Sequence, residues 1–262
     1  MKIILILGAG LSSHRLISYL EDEARIHNWR IRVGDRDLDI AREKITHPTE
    51  VFEFNIQNSV QLEREVKSAT LVISMLPARF HPEVARVCLK ERKSMMTASY
   101  ESPEIRQMEK EVQKKGLLFL NEIGLDPGID HMSAMQVIER IRNEGHSLTG
   151  FESFTGGLVA PESDNNPWHY KFTWNPTNVV LAGWPGPAQF IQCGKIKYIP
   201  YSRLFRRIEY MDIEGFGKFE GYANRDSLKY IEKYNLQRVP TVYRGTLRRP
   251  GFSKAWDIFV QL

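Results

Sequence analysis

The sequence has few cysteines, no long apolar run and no large excess of charge of one sign. It contains two cysteines in 262 residues, Cys88 and Cys193, and their spacing matches no metal-binding motif, so we predict no metal site and a reducing compartment. The apolar run at residues 2–7 ends at Gly8 and is too short for a membrane span or a cleavable leader. We therefore expect a cytoplasmic protein without a membrane segment.

The net charge of +4 comes from basic and acidic residues that alternate along the chain. Nucleic-acid-binding proteins usually carry a clustered basic face, so this pattern argues against a nucleic acid partner. Scattered arginines suit a small-molecule substrate rich in carboxylates. Apolar residues at 42% and charged residues at 26% are ordinary for a globular protein, and the length suits two domains.

Up to about residue 125, short apolar segments alternate with segments of helical periodicity. After the first glycines, for example, Leu11, Leu16, Ile17 and Leu20 recur at helical spacing. The alternation predicts an α/β fold with a Rossmann-type, doubly wound parallel sheet covered on both faces. The predicted strands are residues 2–7, 29–35, 50–56, 70–76, 93–99 and 117–124, and the predicted helices include residues 37–45 and 102–116.

After about residue 145 the aromatic, glycine and proline content rises. The segments KIKYIPY, FRRIEYM and GKFEGYA alternate with period two, which predicts a second α+β domain with a largely antiparallel or mixed sheet. The last twelve residues, GFSKAWDIFVQL, predict an amphipathic helix. We predict a nucleotide-binding domain at residues 1–128 and a substrate-binding domain at residues 129–262, the second of them incomplete.

The first strand runs into Gly8-Ala9-Gly10-Leu11-Ser12-Ser13, a G-x-G-x-x-S variant of the dinucleotide fingerprint. The first glycine permits a tight turn, the second lets the backbone approach a pyrophosphate at the helix N-terminus, and Ser13 takes the position of the third small residue. The candidate cofactor-binding residues are Gly8, Gly10, Leu11, Ser12, Ser13, Asp35, Arg36, Asn55, Ser74, Leu76 and Pro77.

Asp35 ends the second strand, where a carboxylate accepts the ribose hydroxyls of NAD and repels the 2′-phosphate of NADP. We therefore favour NAD, although Arg36 keeps NADP open. Ser74, Leu76 and Pro77 follow the fourth strand, and strand ends line the ligand crevice of such sheets.

The segment NEIGLDPGIDHMSAM at residues 121–135 combines titratable groups with a proline–glycine turn. Asp126 precedes Pro127 and is pushed to an extended backbone, while Gly128 permits the reversal and a helix begins near Ile129. Asp126 is either a catalytic group beside the nicotinamide or only an Asx-turn residue. His131 is expected to be structural.

Several long segments of the chain resemble the saccharopine dehydrogenase/reductase family, specifically its L-glutamate-forming branch. They are LVISMLPARFHPEVARVCLK, MMTASYESPEIRQMEKEVQKKGLLFLNEIGLDPGIDHMSAM, GGLVAPESDNNPWHYKFTWNP, GYANRDS and VYRGTLRRPGF. The resemblance runs in order over essentially the whole chain. It implies NAD(P)-dependent oxidation of the C–N bond of saccharopine and hydrolysis of the imine to L-glutamate and 2-aminoadipate 6-semialdehyde, or the reverse, in lysine metabolism.

The resemblance also implies the site residues. Asp126 and Tyr100 are the catalytic candidates, with Asp126 needing a raised pKa and Tyr100 sharing its proton. We expect the two domains to close so that Asp126 and several guanidinium groups face the nicotinamide. The candidate substrate-binding residues are Ser99, Tyr100, Asp126, Asn175, Arg225, Arg244, Thr246 and Arg248.

Family members are longer, so we expect the chain to be C-terminally truncated. The sheet edges and apolar faces that truncation exposes favour oligomerisation, and a homodimer is one option. Two alternatives stay open on the residues alone. One is a related C–N oxidoreductase acting on carboxynorspermidine or lysine, and the other is a non-catalytic nucleotide-binding module.

Overall fold

The computed structural model describes residues 1–173 and 186–262. The chain divides into two compact units, Met1–His131 and Met132–Leu262, each with its own sheet. The predicted domain boundary after residue 128 lies three residues before this division.

The first unit contains a parallel sheet in the order β3-β2-β1-β4-β5-β6. The order reverses between β1 and β4, which is the arrangement of a doubly wound sheet, so the predicted Rossmann-type fold is confirmed. Its strands are β1 Lys2–Leu7, β2 Trp29–Asp35, β3 Glu50–Glu53, β4 Leu71–Ser74, β5 Ser94–Met96 and β6 Phe119–Leu120.

Helices cover both faces of this sheet because the β1 residues that point to each face are apolar. Leu5 and Leu7 belong to one core cluster, together with residues of three helices, and Ile4 and Ile6 belong to another with Ile17. The helices of the first unit are α1 His14–His27, α2 Leu38–Arg42, α3 Ser59–Ser68, α4 His81–Lys90, α5 Pro103–Arg106 and α6 Glu109–Lys114.

Three local predictions in the first unit were wrong. The helix predicted at 102–116 is two helices, because Met108 donates its N–H to the Ile105 carbonyl in a tightened turn between them. Helix α2 ends at Arg42, since Thr46 turns away to donate two hydrogen bonds to Glu21. Leu11 precedes α1 and is exposed, so it is not part of that helix's apolar face.

The second unit contains a mixed, largely antiparallel sheet, as predicted. The described strands run in the order β10-β11-β12-β8-β9, and β7 pairs with β12 in parallel. They are β7 Phe151–Thr155, β8 Ala188–Gln192, β9 Lys195–Ile199, β10 Glu209–Ile213, β11 Gly217–Ala223 and β12 Val242–Arg248.

Helix α7, Ile129–Asn143, begins at the end of the first unit and continues into the second. The other described helices of the second unit are α8 Tyr201–Leu204, α9 Lys229–Lys233 and α10 Phe252–Gln261. The last of these matches the predicted amphipathic helix, and Phe252 at its start is buried in an aromatic core. Over the described residues, no helix combines the length and the apolar character that a membrane crossing requires.

Candidate functional site

The turn after β1 requires glycine at its first position. Gly8 has φ +100°, and a Cβ there would lie 2.8 Å from the backbone carbon of Met75 and 2.9 Å from its oxygen. The Met75 N–H donates to the Leu7 carbonyl at 2.7 Å, and the Gly8 N–H donates to the Gly34 carbonyl at 2.8 Å. Gly8 therefore lets the chain turn directly over the ends of β2 and β4, where the cofactor is predicted to bind.

The start of α1 presents free backbone donors. Ser13 is fully buried, and its Oγ donates to the Gly10 carbonyl at 2.8 Å, which holds the loop against the helix. A Cβ on Gly10 would meet nothing within 4 Å, so the loop is open on that side. In the described part of the chain, the N–H groups of Leu11 and Ser12 donate to no protein acceptor. Such donors at a helix N-terminus fit a pyrophosphate.

Asp35 lies at the end of β2, and backbone donors occupy both of its carboxylate oxygens. Oδ2 accepts the Ala9 N–H at 2.6 Å, and Oδ1 accepts the Asp37 N–H at 2.9 Å. The carboxylate therefore anchors the glycine-rich turn. Arg36 is exposed beside it. Asn55, at the next strand, accepts the Gln57 N–H through Oδ1 at 3.0 Å.

A buried polar cluster lies between the ends of β4 and β5. We call it the histidine cluster, and it consists of Ser74, His81, Thr97 and Ser99. The Ser74 Oγ lies 2.9 Å from Nδ1 of His81, and the Oγ of Ser99 and Oγ1 of Thr97 lie 2.8 Å and 3.2 Å from its Nε2. The sequence reasoning missed His81, because one histidine at the start of a helix gives no signal of its burial. Ser74 is fully buried, so its side chain serves the cluster and is not exposed to a ligand.

Burial lowers the pKa of His81 from 6.5 to about 4. The unfolded chain binds a proton on this ring more readily than the folded chain does. We therefore expect the contribution of His81 to the free energy of unfolding to stay constant above about pH 6.5. It should decrease by roughly 3 kcal/mol as the pH falls toward 4.

Urea unfolding of the wild type and of His81→Gln across this pH range measures this decrease. The exposed His14→Gln serves as the control and should keep the wild-type slope. Equal slopes for His81→Gln and the wild type would contradict the expectation.

Tyr100 and Asp126 form a hydrogen-bonded pair in the first unit. The Tyr100 hydroxyl donates to Oδ1 of Asp126 at 2.8 Å. Tyr100 follows the end of β5, and Asp126 lies in the turn that follows β6, so neighbouring parallel strands bring them to one edge of the sheet. Asp126 is half-buried and Tyr100 is 36% exposed, so solvent reaches the pair. Their predicted catalytic role remains a prediction.

The turn that carries Asp126 is tightly closed. Gly124 donates its N–H to the Pro127 carbonyl at 2.8 Å, and the Ile129 N–H donates to the Gly124 carbonyl at 3.0 Å. The Gly128 N–H donates to Oδ1 of the buried Asp130 at 2.7 Å, which holds the turn against the first residues of α7. This geometry fixes the backbone on both sides of Asp126.

His131 pairs with a carboxylate close to the same turn. Its Nε2 lies 3.0 Å from Oε2 of Glu122, and Oε1 of Glu122 accepts the Glu101 N–H at 3.1 Å. Glu122 also donates its N–H to the Ser99 carbonyl at 3.0 Å. These contacts connect the segments after β5 and β6, and the structural role expected for His131 stays a prediction.

In the second unit, Arg225 and Arg244 lie on adjacent backbone segments. Arg225 follows the end of β11 and is exposed with φ +42°, while Arg244 in β12 is 4% exposed. The neighbouring Asn224 donates its N–H to the Arg244 carbonyl at 2.8 Å. The Arg244 guanidinium lies 4.2 Å from the centre of the Tyr230 ring, so it is held as a stacked cation.

Arg244, Thr246 and Arg248 share one face of β12 because side chains alternate along a strand. Arg248 is 8% exposed, and its guanidinium lies 4.9 Å from the centre of the Tyr170 ring and 5.1 Å from that of Phe252. Its Nε is buried without a protein acceptor in the described part of the chain. Asn175, the remaining predicted substrate contact, lies outside the described residues.

Comparison with known proteins identifies both units. Residues 4–120 match the family model described as "Saccharopine dehydrogenase NADP binding domain", and residues 124–262 match "Saccharopine dehydrogenase C-terminal domain". A curated protein of Pyricularia oryzae, "Saccharopine dehydrogenase [NADP(+), L-glutamate-forming]", is 34% identical over 100% of this chain and 57% of its own length. The rat protein "Alpha-aminoadipic semialdehyde synthase, mitochondrial" is 37% identical over 100% of this chain and 28% of its own length.

A solved structure has the same fold. The apo, histidine-tagged saccharopine dehydrogenase (L-Glu forming) of Saccharomyces cerevisiae superposes with a TM-score of 0.86 at 33% identity, over 97% of this chain and 56% of that one. The chain thus spans little more than half the length of the fungal relatives and about a quarter of the rat relative. The chain belongs to the saccharopine dehydrogenase family.

Proposed function

We propose that this chain carries an NADP-dependent, L-glutamate-forming saccharopine dehydrogenase activity. The observation that carries the proposal is the Tyr100–Asp126 pair at the carboxyl edge of a nucleotide-binding sheet, in a chain whose relatives are named for this reaction. In that reaction the C–N bond of saccharopine is oxidised to an imine, and water then releases glutamate and 2-aminoadipate 6-semialdehyde. The reverse direction is a reductive condensation.

The Tyr100–Asp126 pair supplies the proton transfers that imine hydrolysis needs. One group must activate water and another must exchange a proton with the nitrogen. The Tyr100 hydroxyl donates to the Asp126 carboxylate across 2.8 Å, so a proton can pass between the two groups and the pair can act as donor or acceptor without a separate base. The closed turn around Gly124 and Gly128 keeps the carboxylate in a fixed position, which is a requirement for efficient transfer.

The three carboxylates of saccharopine require cationic and hydroxyl partners. Arg225 is exposed and available, and Arg244 and Arg248 are held in position by aromatic rings. A pre-positioned guanidinium binds a carboxylate through two parallel hydrogen bonds and loses little entropy. We assign these arginines to substrate carboxylates, with Ser99 and Thr246 as hydroxyl partners.

The nicotinamide dinucleotide is assigned to the turn after β1. The free N–H groups of Leu11 and Ser12 would hold its pyrophosphate, and the nicotinamide would supply the hydride chemistry of the reaction when bound. The preference for NAD requires a free carboxylate at Asp35, but backbone N–H groups donate to both of its oxygens. The family model that matches this unit is also an NADP-binding domain. We therefore favour NADP, with the exposed Arg36 binding the 2′-phosphate.

The test is the oxidation of NADPH or NADH with glutamate and 2-aminoadipate 6-semialdehyde, followed by absorbance. We expect turnover with NADPH and roughly tenfold weaker kcat/KM for NADPH in Arg36→Ala, because one charge-assisted contact to phosphate is lost. The exposed Arg42→Ala, which removes a surface pair with Asp39, is the control and should match the wild type. A folded wild type that binds the cofactor but shows no turnover with either form would overturn the proposal and favour a non-catalytic module.

A further inference from the structure

The neutral ring of His81 carries one N–H proton, and the nitrogen on which it lies decides what Ser99 can bind. The imidazole of His81 is 2% exposed and touches a hydroxyl at each ring nitrogen. A neutral imidazole carries one N–H, so one nitrogen donates and the other accepts. The lowered pKa of about 4 keeps the ring neutral at neutral pH.

The Ser74 hydroxyl determines which ring nitrogen of His81 accepts a hydrogen bond. Ser74 is fully buried, and within the described residues its Oγ has Nδ1 of His81 as its hydrogen-bond partner. If Nδ1 carried the proton, the Ser74 hydroxyl hydrogen would have no acceptor, and a buried donor without an acceptor is costly. The buried Thr97 hydroxyl does not reverse this choice, because Ser99 lies nearer to Nε2 and would take its one lone pair in the other tautomer. Ser74 therefore donates to Nδ1, and the ring proton lies on Nε2.

The Nε2–H then points at the two hydroxyl oxygens at the end of β5. It donates mainly to Oγ of Ser99 at 2.8 Å and more weakly to Oγ1 of Thr97 at 3.2 Å. Thr97 Oγ1 also accepts the Ser99 N–H at 3.3 Å. Since Ser99 receives a hydrogen bond from His81, its own hydroxyl hydrogen is left for a ligand.

The backbone of Ser99 is fixed as well. Its carbonyl accepts the Glu122 N–H at 3.0 Å, and the hydroxyl of the next residue, Tyr100, donates a hydrogen bond to Asp126. Ser99 is half-buried: its Oγ contacts the histidine cluster, and the residue as a whole stays partly accessible to solvent next to Tyr100. A hydroxyl that accepts from the ring keeps its hydrogen for an anion, whereas a hydroxyl that donates to the ring keeps only its lone pairs, which do not bind an anion.

We propose that His81 is a positioning residue whose Nε2–H holds the Ser99 oxygen and leaves the Ser99 hydroxyl hydrogen to donate to a substrate carboxylate. The identity of the substrate rests on the proposed function, whereas the tautomer of His81 does not. Ser99 then contributes the recognition of a carboxylate by a neutral donor.

The tautomer can be measured directly in the full chain by nitrogen-15 NMR of the histidine rings, with His81→Gln identifying the signal. We expect a proton-bearing Nε2 and a bare Nδ1 at neutral pH. A proton on Nδ1 would overturn the inference, whether or not the enzyme turns over saccharopine.

Kinetics test the consequence for substrate binding. In His81→Leu and in Ser99→Ala we expect KM for saccharopine to rise roughly ten- to a hundredfold, because a hydrogen bond to a charged group is lost or misdirected. The Kd for NADP should not change. The double variant should be no worse than Ser99→Ala alone, and His81→Gln should recover much of the loss, since its amide donates from a similar place.

Additive effects of the two substitutions, or an unchanged KM in a folded His81→Leu protein, would overturn the positioning role. Failure of the proposed function looks different, because the wild type itself would then show no turnover with saccharopine. If His81→Leu does not fold, the NMR result on the wild type still decides the tautomer.

Discussion

Asp126→Asn should lower kcat for saccharopine oxidation about a hundredfold or more, because it removes the carboxylate from the Tyr100–Asp126 pair and general acid–base groups contribute at least this much. Tyr100→Phe removes the hydroxyl that donates to the same carboxylate and should cause a loss of similar size. The double variant should be little worse than either single variant, since the pair acts as one unit.

The matched control for this prediction is Asp39→Asn, which neutralises a carboxylate whose side chain is 91% exposed. It should keep the wild-type kcat, and all the variants should bind NADP with unchanged affinity. Steady-state kinetics and a cofactor titration give both quantities. A wild-type kcat in folded Asp126→Asn would show that Asp126 is only a turn residue, the alternative that its place before proline leaves open.

Gly128→Ala should destabilise the first unit by about 4 kcal/mol, because it combines a steric clash with an unfavourable backbone angle. A Cβ at this position would lie 2.1 Å from the Gly124 oxygen and 2.6 Å from its nitrogen, and φ is +149°. The clash is with backbone atoms, which a rotamer change cannot relieve. The turn would have to open, and Asp126 would lose its position.

Gly116→Ala is the matched control for Gly128→Ala. Gly116 also has a positive φ, of +65°, but a Cβ there would meet nothing within 4 Å. We therefore expect a cost of only about 1 kcal/mol, from the left-handed backbone alone. Urea unfolding measures both values. Equal losses in the two variants would show that the clash at Gly128 is relieved at little cost.

The fold of the first unit was predictable because its strands are buried on both faces. Short apolar runs separated by helical periodicity leave few arrangements other than a parallel, doubly wound sheet. The turn at residues 126–128 was also predictable, since Pro127 and Gly128 restrict the backbone locally and the helix begins at Ile129 as expected. Local chemistry determines these features, so a single sequence reveals them.

Other features depend on tertiary contacts that no local pattern encodes. Met108 and Gln107 carry no helix-breaking signal, yet the predicted helix is divided there. His81 belongs to a helix, but its partners come from the ends of two strands that are distant in sequence. Asp35 was correctly assigned to a strand end, whereas the occupation of both its oxygens by backbone donors depends on how the loop closes.

Product analysis of the forward reaction tests the central claim most directly. The chain is incubated with saccharopine and NADP, and glutamate, 2-aminoadipate 6-semialdehyde and NADPH are quantified by mass spectrometry and absorbance. The account predicts the three products in equal amounts in the wild type and almost none in Asp126→Asn. NADPH formed without glutamate, or no product from a folded chain that binds NADP, would contradict it.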